Sequence, residues 1–228
     1  MILPSFALVK KQSMDNTKLI SETEKYIKKQ FSGEATGHDH FHIFRVRDKA
    51  LRICESVPEA DPVTVELGAL LHDVGDYKLF DESPRKLIGD FLSGAGCPND
   101  LAEKVISIAE EVSFKGSEVD EKMSSIEGEV VQDADRLDAL GAVGIARTFA
   151  YGGRKKRPIY DPDIEPEKHS SFKEYKKSES PTINHFYEKL LLLKDRMNTE
   201  PGRRMAEEAH QFMLDFLDRF YREWKGEY

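Results

Sequence analysis

Residues 65–71, Val-Glu-Leu-Gly-Ala-Leu-Leu, run almost wholly apolar into His72-Asp73. Such a run reads as a helix with a greasy face that ends at this pair. The pair that ends it is equally informative. A transition-metal site wants a neutral imidazole nitrogen and a carboxylate oxygen on one ion, and packing alone rarely sets the two together on a greasy helix. Adjacent helical residues point about 100° apart, so both reach one ion only near a helix end, where the backbone can open. Gly75, two residues on, supplies that end. The plainer reading is a helix-terminal histidine with a carboxylate neighbour.

The rest of the chain reads as helix nearly throughout. Leu19, Ile20, Tyr26, Ile27 and Phe31 recur at helical spacing over 17–31, and Phe44, Ala50, Leu51 and Cys54 form one stripe over 40–56. Asp61-Pro62 gives an N-cap and an N1 proline to the helix that ends at the dyad. Ser83-Pro84 repeats that start signal for a helix to about Leu92, which Gly94 and Gly96 stop, and Pro98 opens another to about Val112. Residues 124–151 read as one or two helices, with Gly141 and Gly144 allowing close packing. Two long amphipathic helices are expected at 181–198 and 201–224. In the second, Met205, Ala209, Phe212, Met213, Phe216, Leu217 and Phe220 form the apolar stripe of a core-facing helix. No sustained two-residue alternation competes, so the expected fold is all-α, a single helical bundle.

Residues 1–16 read as a loose leader, and 17–228 as the domain. The leader is apolar first and basic afterwards, the reverse of a secretory signal. Residues 152–180 stand apart: Gly152-Gly153, the basic run Arg154-Lys155-Lys156-Arg157, and prolines 158, 162 and 166. A loop this long is either a solvated excursion or a functional element, here a basic lid over an anionic ligand.

Composition narrows the partners. A net charge of −8 on 228 residues argues against a nucleic-acid polymer, whose footprint is basic, but not against a small phosphorylated substrate met locally by a metal and a few cations. Cys54 and Cys97 are too few for a disulfide framework and lack C-x-x-C spacing, so a reduced, cytoplasmic setting is expected. No stretch approaches the roughly 20 apolar residues of a membrane span.

Two further segments could complete a metal site. Gly37–Val46 carries His38, His40 and His42, and position alone does not say which is a ligand; a surface or capping histidine is the default for each. Gln132–Asp138 carries Asp133, Asp135 and Asp138, of which the last two share a face. Alone this is an ordinary acidic helix, its charge balanced by Arg136 and Arg147. Asp76, just past the dyad, is a candidate proton acceptor for a metal-activated water, and Lys78 a candidate phosphate contact. Arg45, Lys115 and Arg147 join Lys78 as substrate-binding candidates. His169, His185 and His210 show no ligand spacing.

His42, His72-Asp73 and Asp135 follow the H…HD…D pattern of the HD-domain metal-dependent phosphohydrolases, and the chain resembles that all-helical superfamily. The strings His42–Val46, His72–Lys78, Gln132–Ala142, Gly144–Phe149 and Asn184–Leu190 look like its small, stand-alone bacterial and archaeal members. The resemblance, which runs from about residue 20 to the C-terminus, implies metal ligation by His42, His72, Asp73 and Asp135. It places Asp76 where many relatives carry a catalytic carboxylate, with Asp here where others have the longer Glu. Relatives with two metals place extra histidines between the dyad and the last aspartate. This chain has none between Asp73 and Asp135, which favours a single divalent ion, and Mn, Fe, Co, Ni or Zn suits the mixed N/O set.

The expected activity is hydrolysis of a phosphoester or phosphoanhydride in a small substrate, a nucleotide foremost, releasing phosphate or pyrophosphate. The rival from another class is a metal-stapled protein that binds a nucleotide without turning it over; an oxygenase would need two metals. A homodimer is left open.

Overall fold

The computed structural model describes residues 15–32, 39–76, 80–112, 122–167 and 180–228. The fold is all-α, and no strand occurs among the described residues. In chain order the helices are α1 (Asn16–Gln30), α2 (His40–Cys54), α3 (Pro62–Leu71), α4 (Pro84–Gly94), α5 (Asn99–Glu111), α6 (Ile126–Asp138) and α7 (Gly141–Arg154). A short α8 (Asn184–Glu188), a 3₁₀ helix (Leu190–Arg196) and the long α9 (Glu200–Trp224) follow. No helix among the described residues is long and apolar enough to cross a membrane.

The starts follow their capping residues. Asp15, Asp39, Asp61, Ser83, Ser125 and Thr199 each accept a first-turn amide, and Pro62, Pro84 and Pro201 lie in the first turns of α3, α4 and α9. The Asp39 cap bonds the amide of His42 itself at 2.9 Å, so the cap holds the first turn that carries the histidine.

The apolar helix α3 lies at the centre. It packs against α1, α2, α5 and α6, and Val65, Leu67, Ala69, Leu70 and Leu71 have no exposed surface. Burying each such aliphatic side chain contributes about 1.5–3 kcal/mol. Two apolar clusters flank it. One gathers α1, α4 and α5 around Ile27, Leu70, Leu71 and Ile88; the other gathers α6, α7, α8 and α9 around Val65, Ala69, Val131, Phe186 and Met213. Helices α2 and α3 contribute to both, Ile43 to the first and Val46 to the second, so His42 lies on the seam between them.

The long helix expected at 181–198 is instead broken in two. Lys189, at φ −142° and ψ −58°, leaves helical geometry, and the chain resumes as the 3₁₀ helix. The physical reason is spacing: Leu190 and Leu193 are the buried members of the leucine run, while Leu192 is exposed. A three-residue repeat lies on one face at three residues per turn. Within 152–180, Gly152–Arg154 still belongs to α7. The stretch after it docks on 182–184, with Thr182 N bonded to Pro158 O (2.9 Å), Ile183 N to Ile159 O (3.0 Å) and Asn184 Nδ2 to Ile164 O (2.9 Å). Residues 168–179 and 1–14 of the leader lie outside the described residues, while Asp15 and Asn16, its last two, cap and open α1.

Helix α9 is tied to α6 through Asp133. This wholly buried carboxylate accepts from Asn198 N (2.8 Å), Thr199 N (2.8 Å) and Thr199 Oγ1 (2.8 Å). Gly202 fits because it has no Cβ: one placed there would lie 2.4 Å from Asp133 Oδ2 and 2.9 Å from Thr199 Oγ1. Gly202→Ala is therefore expected to destabilise the fold by about 1–3 kcal/mol, the usual cost of overpacking. Urea unfolding checks it, and native stability in the variant would show that the junction is loose.

Candidate metal centre

Each of the two buried histidines has one ring nitrogen engaged away from the other's. His42 Nδ1 lies 2.8 Å from Asp138 Oδ2. An ionised carboxylate only accepts, so Nδ1 carries the hydrogen, and the neutral ring presents its Nε2 lone pair on the opposite side. His72, the C-cap of α3, donates from Nδ1 to the Ala69 carbonyl at 2.8 Å, which likewise turns Nε2 outward. The rings stand 5.4 Å apart, edge to face.

Both Nε2 atoms face the same carboxylates. His42 Nε2 is 3.5 Å from Asp73 Oδ2 and 3.4 Å from Asp135 Oδ1; His72 Nε2 is 3.5 Å from Asp73 Oδ1 and 3.8 Å from Asp135 Oδ1. Ligand atoms of His42, His72 and Asp73 all lie within 4.8 Å of one another, a cluster that could hold a metal ion. With metal–ligand bonds of about 2.0–2.2 Å, tetrahedral donors stand roughly 3.4 Å apart. The fit is further marked by His72 Nε2, a buried polar atom with no hydrogen-bond partner among the described residues. Burying such an atom unsatisfied costs about 1–3 kcal/mol, a cost that coordination removes.

The electrostatics favour a cation at this point. Burial pushes the His42 imidazole down, yet Asp135 and Asp138 outweigh it and raise the pKa to about 9. Asp135 is held well below the usual carboxylate range despite desolvation, chiefly by His42 and His72.

The dyad owes its position to the end of α3. After Leu71 the chain turns, with Val74 N on Leu71 O (3.0 Å) and Asp76 N on Asp73 O (3.2 Å). Gly75 takes φ +84°, and a Cβ there would fall 2.4 Å from Pro84 N, so only glycine lets the start of α4 close over the turn. Asp76 is half-buried on this turn. Lys78, Lys115 and His38 lie outside the described residues, and His40 faces Phe41 and Phe44.

The three aspartates of α6, alike in sequence, have three different surroundings. Asp133 ties down α9. The Asp135 side chain, 37% exposed, faces the histidines. Asp138 is fully buried behind them and is the member that sequence reasoning undervalued. Its Oδ1 accepts from Arg45 Nε (2.9 Å) and Lys49 Nζ (2.6 Å); its Oδ2 accepts from His42 Nδ1 (2.8 Å), Arg45 Nη2 (3.0 Å) and Arg147 Nη1 (2.7 Å). Desolvation would raise its pKa, but His42, Arg45 and Lys49 hold it far below the carboxylate range. Arg45 and Arg147 thus lie on this carboxylate, whereas Arg136 turns away to the Arg196 carbonyl. Lys49, not foreseen from sequence, falls at i+7 from His42 and i+4 from Arg45. That spacing could have marked the stripe.

Asp138→Ala strands three cations around a cavity, and breaking a buried ion cluster typically costs about 3–5 kcal/mol. Chemical denaturation is expected to show a loss of that order. A loss under 1 kcal/mol would mean that solvent already screens the cluster.

With this geometry in view, the comparisons are consistent. The HD domain family profile matches residues 40–140, the span from the start of α2 to just past α6. The chain is 37% identical over 216 residues to YpgQ of Bacillus subtilis, covering 93% of this chain and 97% of that one. It is similar to the crystal structure of an HD-superfamily hydrolase from Bacillus thuringiensis, with TM-score 0.74, 39% identity, and coverage of 93% of this chain and 100% of that one. A structure of B. subtilis YpgQ in complex with ADP matches at TM-score 0.72 and 36% identity, over 90% of this chain and 97% of that one. With the histidines, the dyad and the last aspartate inside the matched span, the chain belongs to the HD-domain superfamily.

Proposed function

We propose that the protein is a single-metal phosphohydrolase acting on a nucleotide, with His42, His72, Asp73 and Asp135 as the metal ligands. The observation that carries the reading is the convergence of two outward-turned Nε2 atoms on two carboxylates, each imidazole fixed from behind. A mixed N/O set of this kind suits Mn, Fe(II), Co, Ni or Zn. When bound, such an ion polarises a phosphoryl oxygen and lowers the pKa of water.

The chain's own residues supply the rest. Asp138 and the Ala69 carbonyl hold the imidazoles in the tautomer that presents Nε2. Asp76, one turn past the dyad, accepts the proton of the attacking water. Arg45 and Arg147, with Lys78 and Lys115, offset the charge that develops on the phosphoryl oxygens. The basic run 154–157 is a further source of positive charge for a phosphate chain. The ADP bound to YpgQ supports a nucleotide ligand here, given the similarity over nearly the full length of both chains.

Purified protein is expected to release phosphate or pyrophosphate from at least one nucleotide in a panel screened with Mn²⁺. Nucleotide binding without turnover under any divalent metal would favour the metal-stapled binding protein instead. Asp73→Ala is expected to lower bound metal and activity together. Asp76→Asn is expected to retain metal while kcat falls about 10²–10⁴-fold, the usual worth of a general base. Full activity in that variant would remove Asp76 from the mechanism. Metal analysis near one equivalent per chain is expected, and two equivalents would overturn the single-ion reading.

A further inference from the structure

The charges around Asp138 do not balance. Arg45, Lys49 and Arg147, three full cations, converge on one carboxylate, leaving a formal excess of two positive charges before His42 is considered. A carboxylate offers about four lone-pair positions, and Asp138 already meets five donors. A purely structural buried aspartate needs one counter-charge; two more in the same place repel each other unless an anion joins them. Asp39 adds a longer-range attraction for Arg45, but one of its oxygens already accepts the His42 amide. Asp73 and Asp135, on the far side of the His42 ring, would be matched by the divalent ion of the proposed function.

The cations are also open on one side. Their side chains are 33% (Arg45), 26% (Lys49) and 21% (Arg147) exposed, while Asp138 has no exposed surface. Among the described residues, Arg45 Nη1 and Arg147 Nη2 have no acceptor, and Lys49 has only Asp138. Partly exposed cations gathered on one buried anchor, with donors to spare, make a rigid receptor for a multiply charged oxyanion. His42 links this receptor to the metal-ligand cluster, one ring nitrogen to each.

We infer that Asp138 is a positioning residue that assembles Arg45, Lys49 and Arg147 into a preorganised receptor for the phosphate groups of the substrate, with Lys49 among its direct contacts. This rests on the phosphohydrolase reading for the identity of the anion, but not for the existence of the receptor.

The test is calorimetric, on the full chain, with inorganic pyrophosphate and Mn²⁺ titrated separately. Lys49→Met keeps the stem and removes the charge. Its pyrophosphate Kd is expected to rise roughly tenfold, the worth of one charge-assisted hydrogen bond, with Mn²⁺ affinity unchanged. Asp138→Asn removes a negative charge, so simple Coulomb attraction would tighten pyrophosphate. The positioning role requires the opposite, weaker pyrophosphate binding, together with a fall in Mn²⁺ affinity of about 10–100-fold. Pyrophosphate bound as tightly or more tightly by a folded Asp138→Asn overturns the positioning role, and an unchanged Kd in Lys49→Met overturns the receptor. If Asp138→Asn does not fold, Arg147→Lys decides: it keeps the charge but loses the planar fork, and native pyrophosphate affinity in it overturns the positioning role. Nucleotide turnover separates the two readings. Turnover with a pyrophosphate Kd indifferent to Lys49 sinks the receptor alone; binding that depends on Lys49, with no nucleotide hydrolysed under any divalent metal, sinks the catalytic reading alone.

Discussion

The arrangement of the site depends on one buried charge. Asp138 sits at the last turn of α6 with no exposed surface, and donors from α2 and α7 reach it through His42, Arg45, Lys49 and Arg147. A lone carboxylate in that position would cost several kcal/mol in lost hydration. Here the cost is offset only when α2, α6 and α7 are all in place, so the charge acts as a condition on their assembly. The same contact sets the tautomer of His42, which couples the packing of three helices to the direction of one ring nitrogen.

The dyad is positioned by a different force. Helix α3 is packed against α1, α2, α5 and α6 and has little freedom to slide. Its end therefore delivers His72 and Asp73 to the seam of two apolar clusters. A rigid apolar element carrying a polar tip suits a candidate metal centre: the His72 and Asp73 side chains are held by packing, in surroundings that make charge interactions strong. Asp135 and Asp138, one on each side of its ring, raise the His42 pKa to about 9 against the effect of burial.

Much of this was legible in the chain. The run 65–71 announced an apolar helix, the Asp-Pro and Ser-Pro pairs marked two helix starts, and Gly75 marked the turn after the dyad. The three-residue repeat at Leu190 and Leu193 was not read as 3₁₀, because four consecutive leucines satisfy several periods and only the packing decides which of them are buried. Lys49 went unnoticed because a lysine on an amphipathic helix is ordinarily solvated, and nothing local distinguishes one whose head folds inward.

By itself the sequence determined an all-helical chain with an apolar helix, a metal-suited pair at its end, and the segments that could complete the set. Residue spacing alone could not rank Asp133, Asp135 and Asp138, which lie within six consecutive residues of one helix with similar neighbours. Tertiary structure separated them, since residues two apart on a helix point about 200° apart and those three apart about 60°. Asp133 meets the start of α9, whereas Asp135 and Asp138 turn toward α2, one in front of His42 and one behind it. Which carboxylate faces a metal position, which holds a histidine and which anchors a helix is a matter of what packs opposite, and that is set by contacts more than sixty residues apart in the chain.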